Sequence, residues 1–173
     1  MKPRVVITGM GIVAPNAVGL DNFLKAIQEG KSGITFHQKL KELQFSCCIG
    51  GIPSVSEELK SQYLTSLQLR GFNSTGILYG CIAGMDAWKD AGFIIDKNSS
   101  TDYNSGMVFG TGTSGIEKFR EAVYKLDDNK VKRLGSSVVV QTMASGISAY
   151  LGGILGLGNQ VTTNSSACTT GTE

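Results

Sequence analysis

Among the side chains able to do chemistry, Cys168 has the most suggestive setting. It stands in Ser165-Ser-Ala-Cys-Thr-Thr-Gly171, directly after a β-rich run at 160–164. A nucleophile on a sharp turn after a strand is held outward at the end of a sheet. If a helix opens there, its unpaired N–H groups and dipole favour a thiolate and can donate to an oxyanion. A small buried structural cysteine fits the same spacing, and the residues alone leave both readings open. Two glycine patterns invite a phosphate. Gly9-Met-Gly11-Ile-Val-Ala14 matches GxGxxA after a strand, yet Pro15 and a polar stretch follow it, and no acidic residue ends a second strand at the right distance. Gly110-x-Gly112-x-x-Gly115 lies between a strand and a helix, where it can cradle phosphate or let a backbone cross closely. No Walker lysine accompanies either pattern.

The remaining candidates read as structural. His37, the single histidine, lies in a polar stretch with no ligand partner near it in sequence, and reads as a surface residue. Cys81 sits on an apolar helix face and reads as a small core residue. Cys47, Cys48, Cys81 and Cys168 lack CxxC spacing, so neither a zinc site nor a disulfide framework is expected. A reducing, cytoplasmic setting follows from that reading.

Residues 4–8 read as a first strand. Asp21 is placed to cap a helix to about residue 29, with Phe23, Leu24 and Ile27 on one face and Gly30 as its stop. A strand near 45–51 and a short helix from Ser56 follow. Residues 73–91 form the clearest helix: Ile77, Leu78, Cys81, Ile82, Met85 and Trp88 recur at helical spacing. Gly76, Gly80 and Gly84 fall four apart on another face. Each glycine costs about 1 kcal/mol against alanine in a helix, so three in register predict the close approach of another backbone. Residues 107–110 predict a buried strand, 116–126 an amphipathic helix, and 127–136 an exposed polar stretch. A helix over about 142–155 carries Met143, Ile147, Leu151 and Ile154 on its apolar side. Alternating strands and helices imply an α/β fold with a mostly parallel sheet.

Bulk properties narrow the function classes. The chain has 173 residues and a net charge of +2, with no long basic block, so nucleic acid and anionic membrane are poor partners. No run approaches the ~20 apolar residues of a membrane span. Charged residues are only 17 %, which leaves surface suited to burial against another unit. The 23 glycines sit singly at changes of direction, as in a compact α/β domain rather than a linker.

Ser166-Ala-Cys-Thr-Thr-Gly171 resembles the active-site cysteine motif of β-ketoacyl-[acyl carrier protein] synthases. Met143-Ala-Ser-Gly-Ile-Ser-Ala149 is similar to the matching stretch of the type I bacterial enzymes, at the matching distance before the cysteine. Val5-Val-Ile-Thr-Gly-Met-Gly-Ile-Val13 and Gly30-Lys-Ser-Gly-Ile-Thr35 are similar to the opening strand and the loop after the first helix. The resemblance implies the thiolase fold, in which two βαβαβαββ halves stack, with this chain as an incomplete N-terminal half spanning 1–173. It also implies a ping-pong condensation. Cys168 takes an acyl group from an acyl carrier protein, and malonyl carrier protein is decarboxylated to the carbanion that attacks it. Met143, Gly112 and Thr113 match positions near the acyl tunnel and dimer interface. No metal or bound organic cofactor is implied, because the phosphopantetheine arm arrives on the carrier. A homodimer is the family expectation.

Two histidines, a lysine and a phenylalanine loop complete the family's site from its second half, and none stands in residues 1–173. The expectation is therefore a chain inactive alone, cut from an active parent. Two other readings stay open: a non-catalytic chain-length or scaffold subunit of a ketosynthase pair, and a nucleotide-binding α/β domain.

Overall fold

The computed structural model describes residues 3–96 and 100–172. The chain opens with a tight hairpin, β1 (Val13–Ala14) and β2 (Ala17–Val18), then α1 (Leu20–Gln28). A second antiparallel hairpin joins β3 (Ile34–Phe36) to β4 (Ile49–Gly51) across α2 (Gln38–Glu42). Short helices α3 (Glu57–Tyr63) and α4 (Ser66–Gly71) lead into α5 (Thr75–Asp90). Then come β5 (Met107–Gly110), α6 (Ile116–Asp127), a 3-10 turn at Val131–Arg133, α7 (Val138–Thr142), α8 (Gly146–Leu155), β6 (Val161–Asn164) and a final 3-10 helix, Ala167–Thr172. The α/β class is as expected, but among the described residues parallel pairing is limited to β5 with β6 and an isolated bridge between Asp102 and Leu157; the two hairpins pair antiparallel.

Helix α5 is the centre. Ile77, Cys81 and Met85 pack with Ile147 and Leu151 of α8 in one core cluster. The glycine face is what admits α8. A methyl at Gly80 would lie 2.5 Å from Ile147 Cγ2 and 2.9 Å from Phe109 Cζ, and one at Gly84 would collide with Leu151. The close approach expected from the glycine register is therefore made by side chains of α8 and β5, not by a second backbone. Burial pushes the Cys81 thiol up to about 12, so this cysteine is inert core.

The start of α5 is satisfied from a distance. Ser74 at the cap makes no side-chain bond to the helix. Instead Gln141, on α7 and almost fully buried, accepts through Oε1 from the N–H groups of Asn73 (2.8 Å) and Ser74 (3.0 Å). Glu117 Oε1 on α6 accepts from the N–H of Thr75 at 2.7 Å and its hydroxyl at 3.1 Å. Burial raises the Glu117 pKa, but the hydrogen bonds from Thr75 and from its own backbone N–H, with the Lys118 charge, together outweigh it and hold the carboxyl below the usual glutamate range. Its stabilising share is thus present at neutral pH and is lost as pH falls through that lowered value.

On the other side of α5, the N-terminal segment crosses at Gly9 and Gly11, whose missing side chains let it lie on Ala83, Ala87 and Ala91. The Met10 N–H donates to Asp90 Oδ2 at 2.9 Å. Residues 4–8, read above as a strand, form no strand and pair with none among the described residues. Val5 is 95 % exposed and Ile7 84 %. A run rich in β-formers supplies propensity, and a strand needs a ladder partner as well.

Other boundaries also differ. Gly19, at φ +83°, caps α1 instead of Asp21, because the β2–α1 turn needs a left-handed residue there. Gly30 ends that region at φ +64°, as expected. Strand β5 half-buries one face, Met107 and Phe109, and leaves Val108 exposed on the other. The helix expected over 142–155 begins later, at Gly146 in α8, while Thr142 ends α7, a separate helix over Val138–Thr142. Met143 adopts an extended conformation (ψ 143°) between α7 and α8 and points no apolar stripe into the core, being 48 % exposed.

Two substitutions check this packing. Gly80→Ala should lower stability by about 1 kcal/mol despite its better helix propensity, since overpacking costs ~1–3 kcal/mol. Gly153→Ala on α8 meets nothing within 4 Å and should raise stability by up to about 1 kcal/mol. Equal shifts of the urea midpoint in the two variants would contradict the contact described. Separately, Gln141→Ala should cost about 1–3 kcal/mol by leaving two N–H groups unpaired, read in the same denaturation experiment.

Candidate active site

Parallel pairing decides where the candidate residues meet. Met107 stands opposite Val161, and Gly110 opposite Asn164, so both strands end at the same level. The ladder runs one step further, with the Thr111 N–H donating to the Asn164 carbonyl at 3.0 Å. Helix α8 packs on both strands, and the Ser148 and Thr163 hydroxyls share a 2.6 Å hydrogen bond that fixes it to β6. Two turns therefore leave the same edge: 111–115 after β5 and 165–172 after β6.

The second turn carries Cys168. Ala167 has φ +52°, a left-handed conformation costly for a residue with a Cβ. It reverses the chain between β6 and the 3-10 helix. The Thr170 hydroxyl accepts from the Ser166 N–H at 2.8 Å, and the Thr169 N–H donates to the Ser166 carbonyl at 3.2 Å. Cys168 sits inside this closed loop with its thiol free and exposed. A strand, a strained residue and a tight helical turn form the elbow geometry expected for a presented nucleophile. Cys168 itself lies within a short 3-10 helix, Ala167–Thr172.

Gly112 and Thr113 lie exposed on the neighbouring turn. The Cys168 loop touches the end of β5, where that turn begins: a methyl on Gly110 would meet Thr170 Cγ2 at 2.5 Å and its carbonyl oxygen at 3.0 Å. At the other end of that turn, Gly115 has φ +64° and presses on the Gln141 carbonyl and on Thr142, next to Met143. The 111–115 turn thus links the Cys168 loop to the α7–α8 break. Gly110 and Gly115 serve close crossing, as do Gly9 and Gly11, which weakens both phosphate readings.

The other candidates resolve as structural. His37 Nε2 bonds the Gly50 carbonyl at 3.0 Å while its N–H donates to the Cys48 carbonyl at 2.8 Å, tying the β3–β4 hairpin. Cys47, Cys48 and Cys81 are free thiols like Cys168. No group of three or more His, Cys, Asp or Glu among the described residues could hold a metal ion. No described helix is long and apolar enough to cross a membrane.

Sequence reasoning passed over a cationic groove. Arg70, Lys118, Lys125 and Arg133 line a cavity between α4, α6 and the turn before α7, with Glu121 as its acidic member. Lys118 pairs with Glu121 at 3.1 Å, leaving the other cations in excess. The seven-residue spacing of Lys118 and Lys125 put both on one face of α6, a signal available in the sequence. Arg70 and Arg133 join them only through the fold.

Comparison with known proteins accords with this geometry. Residues 2–173 match the model of the family described as "Beta-ketoacyl synthase, N-terminal domain". The chain is 31 % identical over 111 residues to 3-oxoacyl-[acyl-carrier-protein] synthase 2 of Vibrio harveyi, covering 64 % of this chain and 26 % of that protein. It is 30 % identical over 109 residues to 3-oxoacyl-[acyl-carrier-protein] synthase 1 of Escherichia coli strain K12, covering 63 % of this chain and 26 % of that protein. The match thus spans about a quarter of the length of these relatives. Among solved structures, a β-ketoacyl synthase from Burkholderia phymatum superposes with a TM-score of 0.70 at 20 % identity, covering 96 % of this chain and 40 % of that one. The ishigamide ketosynthase/chain length factor superposes with a TM-score of 0.71 at 18 % identity, over 94 % of this chain and 40 % of that one. These likenesses show the thiolase-like ketosynthase fold. The exposed cysteine turn, the α/β architecture and the match over residues 2–173 lead to one conclusion: the chain belongs to the β-ketoacyl synthase family, through its N-terminal domain.

Proposed function

We propose that this chain supplies the acyl-carrying nucleophile of a decarboxylating Claisen condensation in fatty-acid or polyketide synthesis. The observation that carries the reading is Cys168, a free exposed thiol on a left-handed turn at the shared end of β5 and β6. In the first half-reaction the Cys168 sulfur attacks a carrier-bound thioester. The Cys168–acyl bond forms, the carrier's C–S bond breaks, and the carrier thiol leaves with the proton. In the second, malonyl carrier protein loses carbon dioxide, and its carbanion attacks the acyl-Cys168 carbonyl. The Cys168 thiolate is then expelled from the product. Gly112, Thr113 and Met143 would border the path of the acyl chain.

His37 is occupied in its hairpin, so groups that stabilise the carbanion would come from outside residues 1–173. The reading needs neither a metal nor a resident organic cofactor, because the carrier's phosphopantetheine delivers the thioester. The partner is an acyl carrier protein. A structure at a TM-score of 0.69 shows a type II polyketide synthase acyl-carrier protein in complex with its ketosynthase. The Arg70–Lys118–Lys125–Arg133 groove suits the anionic surface and phosphate of such a carrier. A cytoplasmic homodimer completes the reading. A chain-length or scaffold subunit would have no use for a presented thiol, and Cys168 speaks against it.

In the intact enzyme, incubation with an acyl-[acyl carrier protein] thioester should add the acyl mass to the Cys168 peptide, and Cys168→Ala should abolish both this adduct and condensation. A variant still competent for condensation would remove Cys168 as nucleophile. Charge reversal in the groove, Arg70→Glu with Arg133→Glu, should raise KM for carrier-borne substrate about tenfold with kcat retained. An unchanged KM would place the carrier elsewhere.

A further inference from the structure

The Cys168 loop is closed by one side chain that no part of the proposed chemistry yet uses. Thr170 lies two residues beyond the thiol and faces two ways. Its hydroxyl oxygen accepts from the Ser166 N–H at 2.8 Å, spanning the nucleophile. Its γ-methyl rests where a side chain on Gly110 would be, 2.5 Å from where a methyl there would lie. Between the two anchor points of that hydrogen bond lies Ala167 at φ +52°, a conformation that a residue with a Cβ holds only when its surroundings enforce it. The Ser166 hydroxyl does not enforce it, having no hydrogen-bond partner among the described residues. The Thr169 N–H bond to the Ser166 carbonyl, at 3.2 Å, is longer, and the Thr169 hydroxyl bonds the same carbonyl without spanning to the N–H side.

We infer that Thr170 is a positioning residue for Cys168: its hydroxyl latches Ser166, holds Ala167 in the left-handed conformation, and so sets the direction of the thiol. The inference rests on the acyl-transfer reading above. Attack on a thioester carbonyl needs the sulfur aligned with the carbonyl carbon, and a displacement near 1 Å costs up to about a hundredfold in rate. Without the latch, the strained residue relaxes toward an ordinary φ and the thiol turns away. The contact with Gly110 sets this loop against the end of β5, directly before the 111–115 turn that holds Gly112 and Thr113.

The test uses the intact enzyme and a small acyl thioester of N-acetylcysteamine, with acyl transfer to Cys168 followed by mass and the Ser166 amide followed by hydrogen exchange. Thr170→Val keeps the shape and removes the hydroxyl; Thr170→Ser keeps the hydroxyl and removes the methyl. The Val variant should transfer about ten- to a hundredfold more slowly, with faster exchange at Ser166, and the Ser variant should restore both. Transfer in the Val variant within about twofold of the parent overturns the inference. So does slow transfer with unchanged exchange at Ser166, which would mean that the effect bypasses the latch. A Ser variant as slow as the Val variant also overturns it, assigning the effect to the methyl contact with Gly110. A parent enzyme that takes no acyl group at Cys168 instead removes the acyl-transfer reading, and the positioning role with it.

Discussion

The contact between α5 and α8 is the constraint on which the rest depends. Ile147 and Leu151 enter the face of α5 left open by Gly80 and Gly84, and the two helices then share a core with Ile77, Cys81 and Met85. Helix α8 in turn packs on β5 and β6 and is held to β6 by the Ser148–Thr163 hydrogen bond. Its depth against α5 therefore sets where the strand pair lies. The strand pair sets where two turns emerge, and one of those turns carries Cys168. Glycine is costly within a helix, and here that cost is offset by the packing density it allows.

A second set of interactions locks the same assembly from the polar side. Glu117 on α6 and Gln141 on α7 reach back to satisfy N–H groups at the start of α5. Helices that follow β5 in sequence thus cap the helix that precedes it. The unpaired donors of a helix start become a tie between distant segments instead of a local cap. Gln141 also lies under Gly115, so the element that caps α5 supports the turn holding Gly112 and Thr113. Core and site are linked through this one residue.

Much of the arrangement was legible from residue pattern. The periodicity of Ile77, Cys81 and Met85 located the central helix, and the glycine register announced a close neighbour, although not that side chains would be the neighbour. The run before Cys168 marked a strand followed by a turn, and Ser56 marked a helix start confirmed by its bond to the Leu59 N–H. What stayed hidden shares a physical cause: it depends on contacts between distant segments. The remote cap by Gln141 spans 67 residues, and the groove of Arg70 and Arg133 is assembled only by packing. The His37–Gly50 bond depends on the register of a hairpin. The break at Met143 could not be read from apolar spacing, because Ile147 and Leu151 keep the same period on α8 alone. Residues 4–8 show the converse failure, with strong β propensity and no ladder partner among the described residues.

Cys168 is the presented thiol and Cys81 the buried one, and competitive labelling of the native protein reads that contrast directly. The protein is treated with limiting iodoacetamide at neutral pH, and each cysteine peptide is quantified before and after unfolding in urea. Cys168 should label in the native state at a rate little changed by unfolding, while Cys81 should label only after unfolding. Native protection of Cys168 equal to that of Cys81 would contradict the turn geometry and leave the thiol a structural residue.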